Sequence, residues 1–197
     1  MRAVDQLSFY SAEARQPDIA DLAGMLCGPG QAVGFGRGTA ARLSVVVDAE
    51  WRARSLVAAC AERGVEAELG RSDEGHPLVR TAFRADLTGL AARWLRGAVK
   101  SVPPAFVPDG AALRIWALTA GAAEPTGYRL GLDPHAPDTH EPLAAALLGC
   151  GLPAKPVGLR AGGPALRVTG RRRLARLAEL VGPMPDGAIE RTWPLVS

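Results

Sequence analysis

The chain has 197 residues, 48% hydrophobic and 22% charged, which is ordinary for one large globular domain or two small units. Its net charge is +3, and because the first 98 residues hold as many arginines as acids, the excess lies in residues 99–197. No apolar run is long enough to span a bilayer and the first 21 residues lack a signal-peptide pattern, so we expect a cytoplasmic protein without a membrane partner.

The first half of the chain predicts seven elements in the order αββαββα. Gly64 is placed to end the middle helix, and Asp86 is a candidate N-cap for the last one, in which apolar residues from Leu87 to Trp94 repeat at helical spacing. The predicted elements are a helix at 18–28, strands at 31–36 and 41–47, a helix at 49–63, strands at 65–69 and 77–83, and a helix at 86–97.

The second half repeats this pattern after a segment with three prolines, KSVPPAFVPDG, which predicts a linker. Asp138 and Glu141 have the spacing of a capping box for its middle helix. The predicted elements are a helix at 111–120, a strand at 127–133, a helix at 140–150, strands at 152–160 and 164–169, and a helix at 171–182.

The two halves match without a gap at an offset of 87 residues over about forty positions, which indicates a duplication. Leu56 corresponds to Leu143, and Gly64 to Gly151. We therefore predict an α+β fold of tandem pseudo-twofold repeats with two curved antiparallel sheets, joined as one compact domain. The predicted division is a first repeat at 1–99, a linker at 100–110 and a second repeat at 111–197.

The stretch LAGMLCGPG (22–30) resembles a LAGLIDADG motif, and LRIWALTAG (113–121) is its counterpart at an offset of 91. That motif marks homing endonucleases built from two αββαββα halves, whose first helices meet at a seam; the small residues Ala23 and Gly24 would allow a close approach there. The order of LSFYSAEA, RGVEAEL, PPAFV and ALTAGAAEPTGYRLGL also resembles the amino-terminal domain of WhiA-type sporulation and cell-division regulators. We expect no counterpart of their helix-turn-helix, because the sequence ends at Ser197.

The resemblance implies that an acid at the eighth position of each motif would hold the metal of an active nuclease. That position is Pro29 in the first motif and Ala120 in the second, and neither supplies the oxygen ligand that a hard cation needs. Asp21 lies at the other end of its helix, and Glu124 by itself would be a poor site. We therefore predict that the protein is not an enzyme and has no catalytic residue, metal or cofactor.

Two further segments contain residue types that occur in metal, acid–base or phosphate-binding sites. Asp133, His135, Asp138 and His140 in LDPHAPDTH are a candidate metal or acid–base group, although a polar loop before the next helix is the favoured interpretation. The glycine-rich GFGRG (34–38) lacks the strand–loop–helix context of a phosphate loop and predicts a hairpin turn with positive φ.

The cysteines favour a structural interpretation. Cys27, Cys60 and Cys150 stand far apart and form no CxxC pair. We therefore predict reduced, buried thiols that act as small hydrophobic residues.

Basic residues on the predicted strands and on the last helix are the candidates for nucleic-acid contact, because homing endonucleases read DNA on the open faces of their sheets. Glu66 and Glu68 would repel phosphates on the first half, whereas Lys155, which aligns with Glu68, reverses the charge. The run GRRRLARL (170–177) lies at the start of a helix, where the dipole disfavours cations, and a solvated face is its default interpretation. The candidates are Arg42, Arg80, Arg84, Arg129, Lys155, Arg160, Arg167, Arg171, Arg172 and Arg173.

Two functional hypotheses follow. The first is a monomeric, non-catalytic WhiA-like regulatory protein that associates with DNA weakly and in a salt-sensitive manner, in a role related to transcription. The alternative is a protein-interaction module or scaffold, for example for the transcription machinery, with no direct nucleic-acid contact.

Overall fold

The computed structural model describes residue 12 and residues 15–158, 162–189 and 192–194. The first half comprises α1 (Ala23–Cys27), β1 (Gln31–Phe35), β2 (Ala40–Val46), α2 (Glu50–Glu62), β3 (Ala67–Arg71), β4 (Pro77–Thr81), α3 (Thr88–Trp94), and a short hairpin of β5 (Leu95–Arg96) and β6 (Val99–Lys100). The second half comprises α4 (Gly110–Ala120), β7 (Gly121–Glu124), β8 (Gly127–Gly131), α5 (His140–Gly149), β9 (Ala154–Val157), β10 (Ala165–Thr169) and α6 (Arg171–Val181).

Each half forms a four-stranded antiparallel sheet with the same strand order, β1-β2-β4-β3 in the first and β7-β8-β10-β9 in the second. The register repeats as well: Arg80 pairs with Glu68 in the first sheet, and Arg167 pairs with Lys155 in the second. Both residues of the second pair lie 87 positions after those of the first. The predicted α+β fold of two αββαββα halves is confirmed.

Period-two alternation sets which side of each sheet is buried. In β2, Leu43 and Val45 are 0% and 2% exposed and face the helices, whereas Arg42 and Ser44 lie on the opposite face. The apolar sides of both sheets and the central helices contribute to one hydrophobic core. The outer faces of the sheets therefore point away from this core.

The helices α1 and α4 pack against each other at the centre of this core. Gly24 makes the packing possible, since a methyl group there would overlap the carbonyl oxygen of Ala112 and lie 2.8 Å from the Trp116 nitrogen. Asp18 starts this region with a capping box to Asp21, but the predicted helix 18–28 is a 3-10 turn (Ile19–Leu22) followed by α1.

Several local predictions are corrected by the structure. The helix predicted at 86–97 ends at Trp94, because Leu95 turns into β5 and pairs with Lys100. Asp86 is not an N-cap: its carboxylate accepts hydrogen bonds from the guanidinium of Arg84, a stronger charge-assisted arrangement.

The second half departs from its predicted elements in two places. Asp138 and Glu141 form no capping box, since a 3-10 turn at Pro137–Thr139 leads directly into α5 without a side-chain cap. The strand β7 was not predicted, because its sequence of glycine, alanine and glutamate has no alternating pattern.

Other local predictions hold. The turn within GFGRG has positive φ at Gly36, Arg37 and Gly38. Cys27 and Cys60 are buried free thiols as predicted, whereas Cys150 was predicted to be buried and is only half-buried; burial raises the pKa of Cys60 to about 11. In the part of the chain that the structure describes, no helix combines the length and apolarity that a membrane span requires.

The close approach of α1 and α4 gives a direct test of the packing. We expect Gly24→Ala to lower the free energy of unfolding by about 1–3 kcal/mol, because the added methyl group has no space. Gly89→Ala in the exposed part of α3 is the matched control: nothing lies within 4 Å of the added carbon, and helix propensity predicts a gain of about 0.5–1 kcal/mol. Urea unfolding measures both; equal effects would contradict the packing.

Candidate nucleic-acid interface

The outer face of the second sheet carries three basic residues side by side. Arg129 of β8 pairs in register with Arg167 of β10, and Arg167 pairs with Lys155 of β9. Directly opposed residues of antiparallel neighbours point to the same face of a sheet. Leu166 and Val168, which flank Arg167, are fully buried towards the helices, so the three cations face outward. We call Arg129, Arg167 and Lys155 the basic row.

Two members of the basic row also have partners outside it. Arg167 Nε lies 2.5 Å from a carboxylate oxygen of Glu124, and the Arg129 guanidinium donates to the carbonyl of Gly162 at 3.0 Å. Like charges directly opposite each other destabilise a sheet. An anion bound beside Lys155, the exposed member of the row, would reduce this repulsion.

The equivalent row of the first sheet has a different charge. In it, Ser44 pairs with Arg80, and Arg80 pairs with Glu68. This row thus contains one cation and one carboxylate, and its net charge is zero. The predicted reversal of charge between Glu68 and Lys155 therefore falls at matching places in the two sheets.

The other first-half candidates are engaged in contacts of their own. The guanidinium of Arg42 lies over the ring of Phe83, 4.8 Å from its centroid. Arg84 donates to Asp86 at 2.6 and 2.9 Å and to the carbonyl of Gly64 at 3.0 Å, and its hydrogen bonds hold the pKa of Asp86 below its ordinary value. The first half therefore brings together fewer cations than its sequence indicates.

The remaining candidates lie at the start of α6. Arg171, Arg172 and Arg173 are exposed in its first turn, whereas Leu177 and Val181 further along the helix are fully buried. Arg160 lies outside the described residues.

The tips of α1 and α4, where the resemblance would place metal-binding acids, carry side-chain cations instead. The buried ammonium of Lys100 donates to the carbonyl oxygens of Gly28 at 2.8 Å and Gly30 at 2.7 Å. It also lies 2.8 Å from a carboxylate oxygen of Asp133, which accepts a hydrogen bond from Gln31 at 2.6 Å. The positive charge thus sits at the negative end of α1.

Arg52 performs the same task for α4. Its guanidinium, buried at 2% exposure, donates to the carbonyls of Ala117 at 2.9 Å and Leu118 at 3.1 Å and to that of Gly121. Asp48 binds its Nε at 2.7 Å. An arginine from the other half therefore binds carbonyl groups at the C-terminal end of α4, where helical partners run out.

These contacts do not fit the divalent metal that nuclease chemistry would use. Pro29 and Ala120 offer no side-chain oxygen at the tips, and a second cation next to Lys100 would be repelled. Asp21 is fully occupied at the start of its 3-10 turn by Arg63 and Arg15. Within the described ranges, no three His, Cys, Asp or Glu residues are grouped so that they could hold a metal.

The loop LDPHAPDTH has a structural role. Asp133 pairs with Lys100, its second oxygen accepts from the His135 amide at 2.9 Å, and the His140 ring contacts the Asp133 carbonyl at 2.8 Å. The four candidate residues of this loop therefore do not converge on a metal or on an acid–base centre.

Burial and pairing shift both ionisable groups at the α1 tip. Burial lowers the pKa of Lys100, and the neighbouring Asp133 carboxylate opposes that shift. Burial raises the pKa of Asp133, but the hydrogen bond and charge of Lys100 outweigh it, so that the pKa lies below its ordinary value. Both groups are thus held in an ion pair inside the protein.

The sequence did not reveal the roles that Lys100, Arg52 and Asp133 have at the helix tips. Lys100 is the first residue of the predicted linker, but in the structure it belongs to β6. The division into two repeats and a linker stays a prediction. The one available signal was that Lys100 and Lys155 are the two lysines among 23 basic residues.

No protein-family model and no curated protein matches this sequence. Among solved structures, the homing endonuclease I-WcaI bound to its DNA recognition sequence is similar over 89% of this chain and 83% of its own, with 14% identity and a TM-score of 0.59. The N-terminal LAGLIDADG domain of DUF199/WhiA is similar over 91% of this chain and 88% of its own, with 14% identity and a TM-score of 0.55.

Full-length DUF199/WhiA from Thermatoga maritima gives a TM-score of 0.59 at 14% identity, over 91% of this chain and 58% of that protein. At these identities the likeness shows the fold alone, which is LAGLIDADG-like as predicted. Function has to be argued from the surface and from the helix tips.

The ion pair at the α1 tip predicts a strongly non-additive response to mutation. We expect Lys100→Met to cost about 3–5 kcal/mol, because it leaves the buried Asp133 carboxylate unpaired. The double variant Lys100→Met/Asp133→Leu should be more stable than the single one. Urea unfolding of the native chain, both single variants and the double variant measures the coupling; additive losses would contradict a paired site.

The same pair predicts acid sensitivity. Because the pKa of Asp133 is lower in the folded than in the unfolded protein, its stabilising contribution is present above the unfolded value of about 4 and is lost as pH falls through the folded value. The double variant should lose this part of the acid dependence.

Proposed function

We propose that this protein is a non-catalytic, DNA-associated regulatory protein that contacts the phosphate backbone with the outer face of its second sheet. The observation that carries the proposal is the basic row, in which Arg129, Arg167 and Lys155 oppose one another directly on neighbouring strands. Cations that oppose one another directly repel each other, and such a row suits a polyanion.

The exposure of one end of the row supports duplex binding. Lys155 lies on β9, the edge strand of the second sheet, and its side chain is exposed, so that a phosphate backbone can reach it. Homing endonuclease I-WcaI, which shares the fold, is bound to its DNA recognition sequence in its structure. Arg171, Arg172 and Arg173 extend the supply of positive charge at the end of the same sheet, where β10 leads into α6.

The helix tips support a role without cleavage. Hydrolysis of a phosphodiester at this seam would require carboxylates that hold metal ions beside the scissile phosphate. Here the tips end in Pro29 and Ala120, and their carbonyl groups bind Lys100 and Arg52. These residues fit regulation by binding to DNA, as the resemblance to the WhiA-type regulators implies, better than they fit catalysis.

The difference in charge between the two sheets determines how strongly we expect the protein to bind DNA. With three phosphate contacts, the logarithm of affinity should fall with the logarithm of salt concentration with a slope of about −2.7. Binding confined to one of the two sheets should therefore be weak and salt-sensitive, and the protein would act on DNA as a monomer through one half of its surface.

A pair of charge reversals at equivalent places tests the proposal. We expect Lys155→Glu to weaken binding to a 20-base-pair duplex about tenfold at roughly 50 mM salt and to reduce the salt slope by about 1 or more. Glu68→Lys, its counterpart in the first sheet, should strengthen binding. Fluorescence anisotropy measures both.

Thermal unfolding controls for the fold of the two variants, which change exposed residues. Absence of binding at 50 mM salt, or identical affinities for Lys155→Glu and the native chain, would contradict the assignment of the basic row.

A further inference from the structure

The outer edge of β1 carries backbone groups that β2 does not use. Ala41 exchanges hydrogen bonds with Arg84 on the side away from β1, at 2.9 and 2.8 Å. Since backbone groups alternate in direction along a strand, the partner of Ala41 in register, Gly34, points its N–H and C=O away from β2, as does Ala32. Among the described residues, no strand pairs with this edge.

The edge strand itself lacks two of the devices that normally protect an exposed strand. The sequence of β1, QAVGF, contains no proline and no charged residue. The corresponding edge of the second sheet is different, because β7 ends at Glu124 and is followed by Pro125, the residue that corresponds to Gly34 at the offset of 91. A proline thus follows the edge strand of the second sheet at the position where the edge strand of the first sheet has Gly34.

A groove runs along the inner side of this open edge. It has a volume of about 640 Å³ and lies between β1, α3 and the turn of the β5–β6 hairpin. Small residues form most of its walls, among them Ala91 and Ala92 of α3 and Ala98 of the hairpin. Side chains of an added strand that point inward would enter this groove.

The outer side of the same edge is apolar. Val33 and Phe35 are 42% and 64% exposed, and the ring of Phe35 lies 5.2 Å from that of Phe83. At the corresponding places the second sheet has Glu124 and Thr126. Side chains of an added strand that point outward would therefore meet an apolar surface.

We propose that β1 is a docking edge for an extended segment of a partner protein, which adds a strand to the first sheet. Its alternate residues are apolar, small ones entering the groove and larger ones covering Val33 and Phe35. It carries an acidic residue at the end next to Arg37, the one charged residue among those described that line the groove. A second copy of this chain fits less well, since β1 offers no acid to Arg37.

This docking edge is separate from the basic row, which lies on the other sheet. It specifies where a partner would bind under the protein-interaction hypothesis, and it does not exclude DNA binding. Backbone pairing would supply affinity, and the two sets of alternate side chains would supply specificity.

The test is a selection of twelve-residue phage-displayed peptides on the full chain, followed by binding measurements with the synthetic peptides that it yields. We expect peptides with alternating apolar residues and a terminal Asp or Glu. Gly34→Pro should weaken their binding at least tenfold, because it removes an outward N–H. Ala123→Pro at the edge of β7 is the matched control and should leave binding unchanged, as should Lys155→Glu.

Hydrogen exchange on the unaltered chain gives a second measure that does not depend on how well the proline variant folds. The amides of Ala32 and Gly34 should exchange rapidly in the free protein and at least tenfold more slowly with bound peptide. The proposal is overturned if the peptides lack this pattern, if these two amides are not protected, or if sedimentation shows a dimer of this chain that Gly34→Pro dissociates.

Discussion

The ends of the two central helices depend on buried cations. Each helix leaves carbonyl groups without partners at its C-terminal tip, and both tips are covered by protein. Lys100 binds the carbonyls of Gly28 and Gly30 just after α1, and Arg52 those of Ala117 and Leu118 in the last turn of α4. The acids that balance them, Asp133 and Asp48, come from outside the helices. Because Lys100 pairs with Asp133 and Arg52 reaches α4, the same contacts also join the two halves of the molecule.

With cations bound at the helix tips, the surfaces of the sheets are the candidate binding sites. The duplicated fold supplies two similar outer faces, and substitution has made them different. Lys155 stands where the first half has Glu68, which gives one sheet a row of cations, while Val33 and Phe35 give the other an apolar edge. A polyanion and an extended polypeptide could therefore bind the same molecule on separate faces.

Much of this architecture was predictable from local and repeating signals. The offset of 87 residues located matching strands, and the same alignment revealed the change of sign at Lys155. The absence of an acid at Pro29 and Ala120 was likewise visible in the sequence. The cations beside these positions were not, because Lys100 contacts Gly28 across 72 positions and its hairpin has no distinctive pattern. The unprotected edge of β1 was equally hidden, since pairing partners are set by the tertiary fold.

The occupation of the helix tips can be observed directly. Crystals of the protein soaked in Mn²⁺ would reveal any bound ion by its anomalous scattering. The predicted result is the Lys100 ammonium in contact with the carbonyls of Gly28 and Gly30, with no manganese between α1 and α4. A manganese ion coordinated by those carbonyls and by Asp133, with the lysine displaced, would contradict the account.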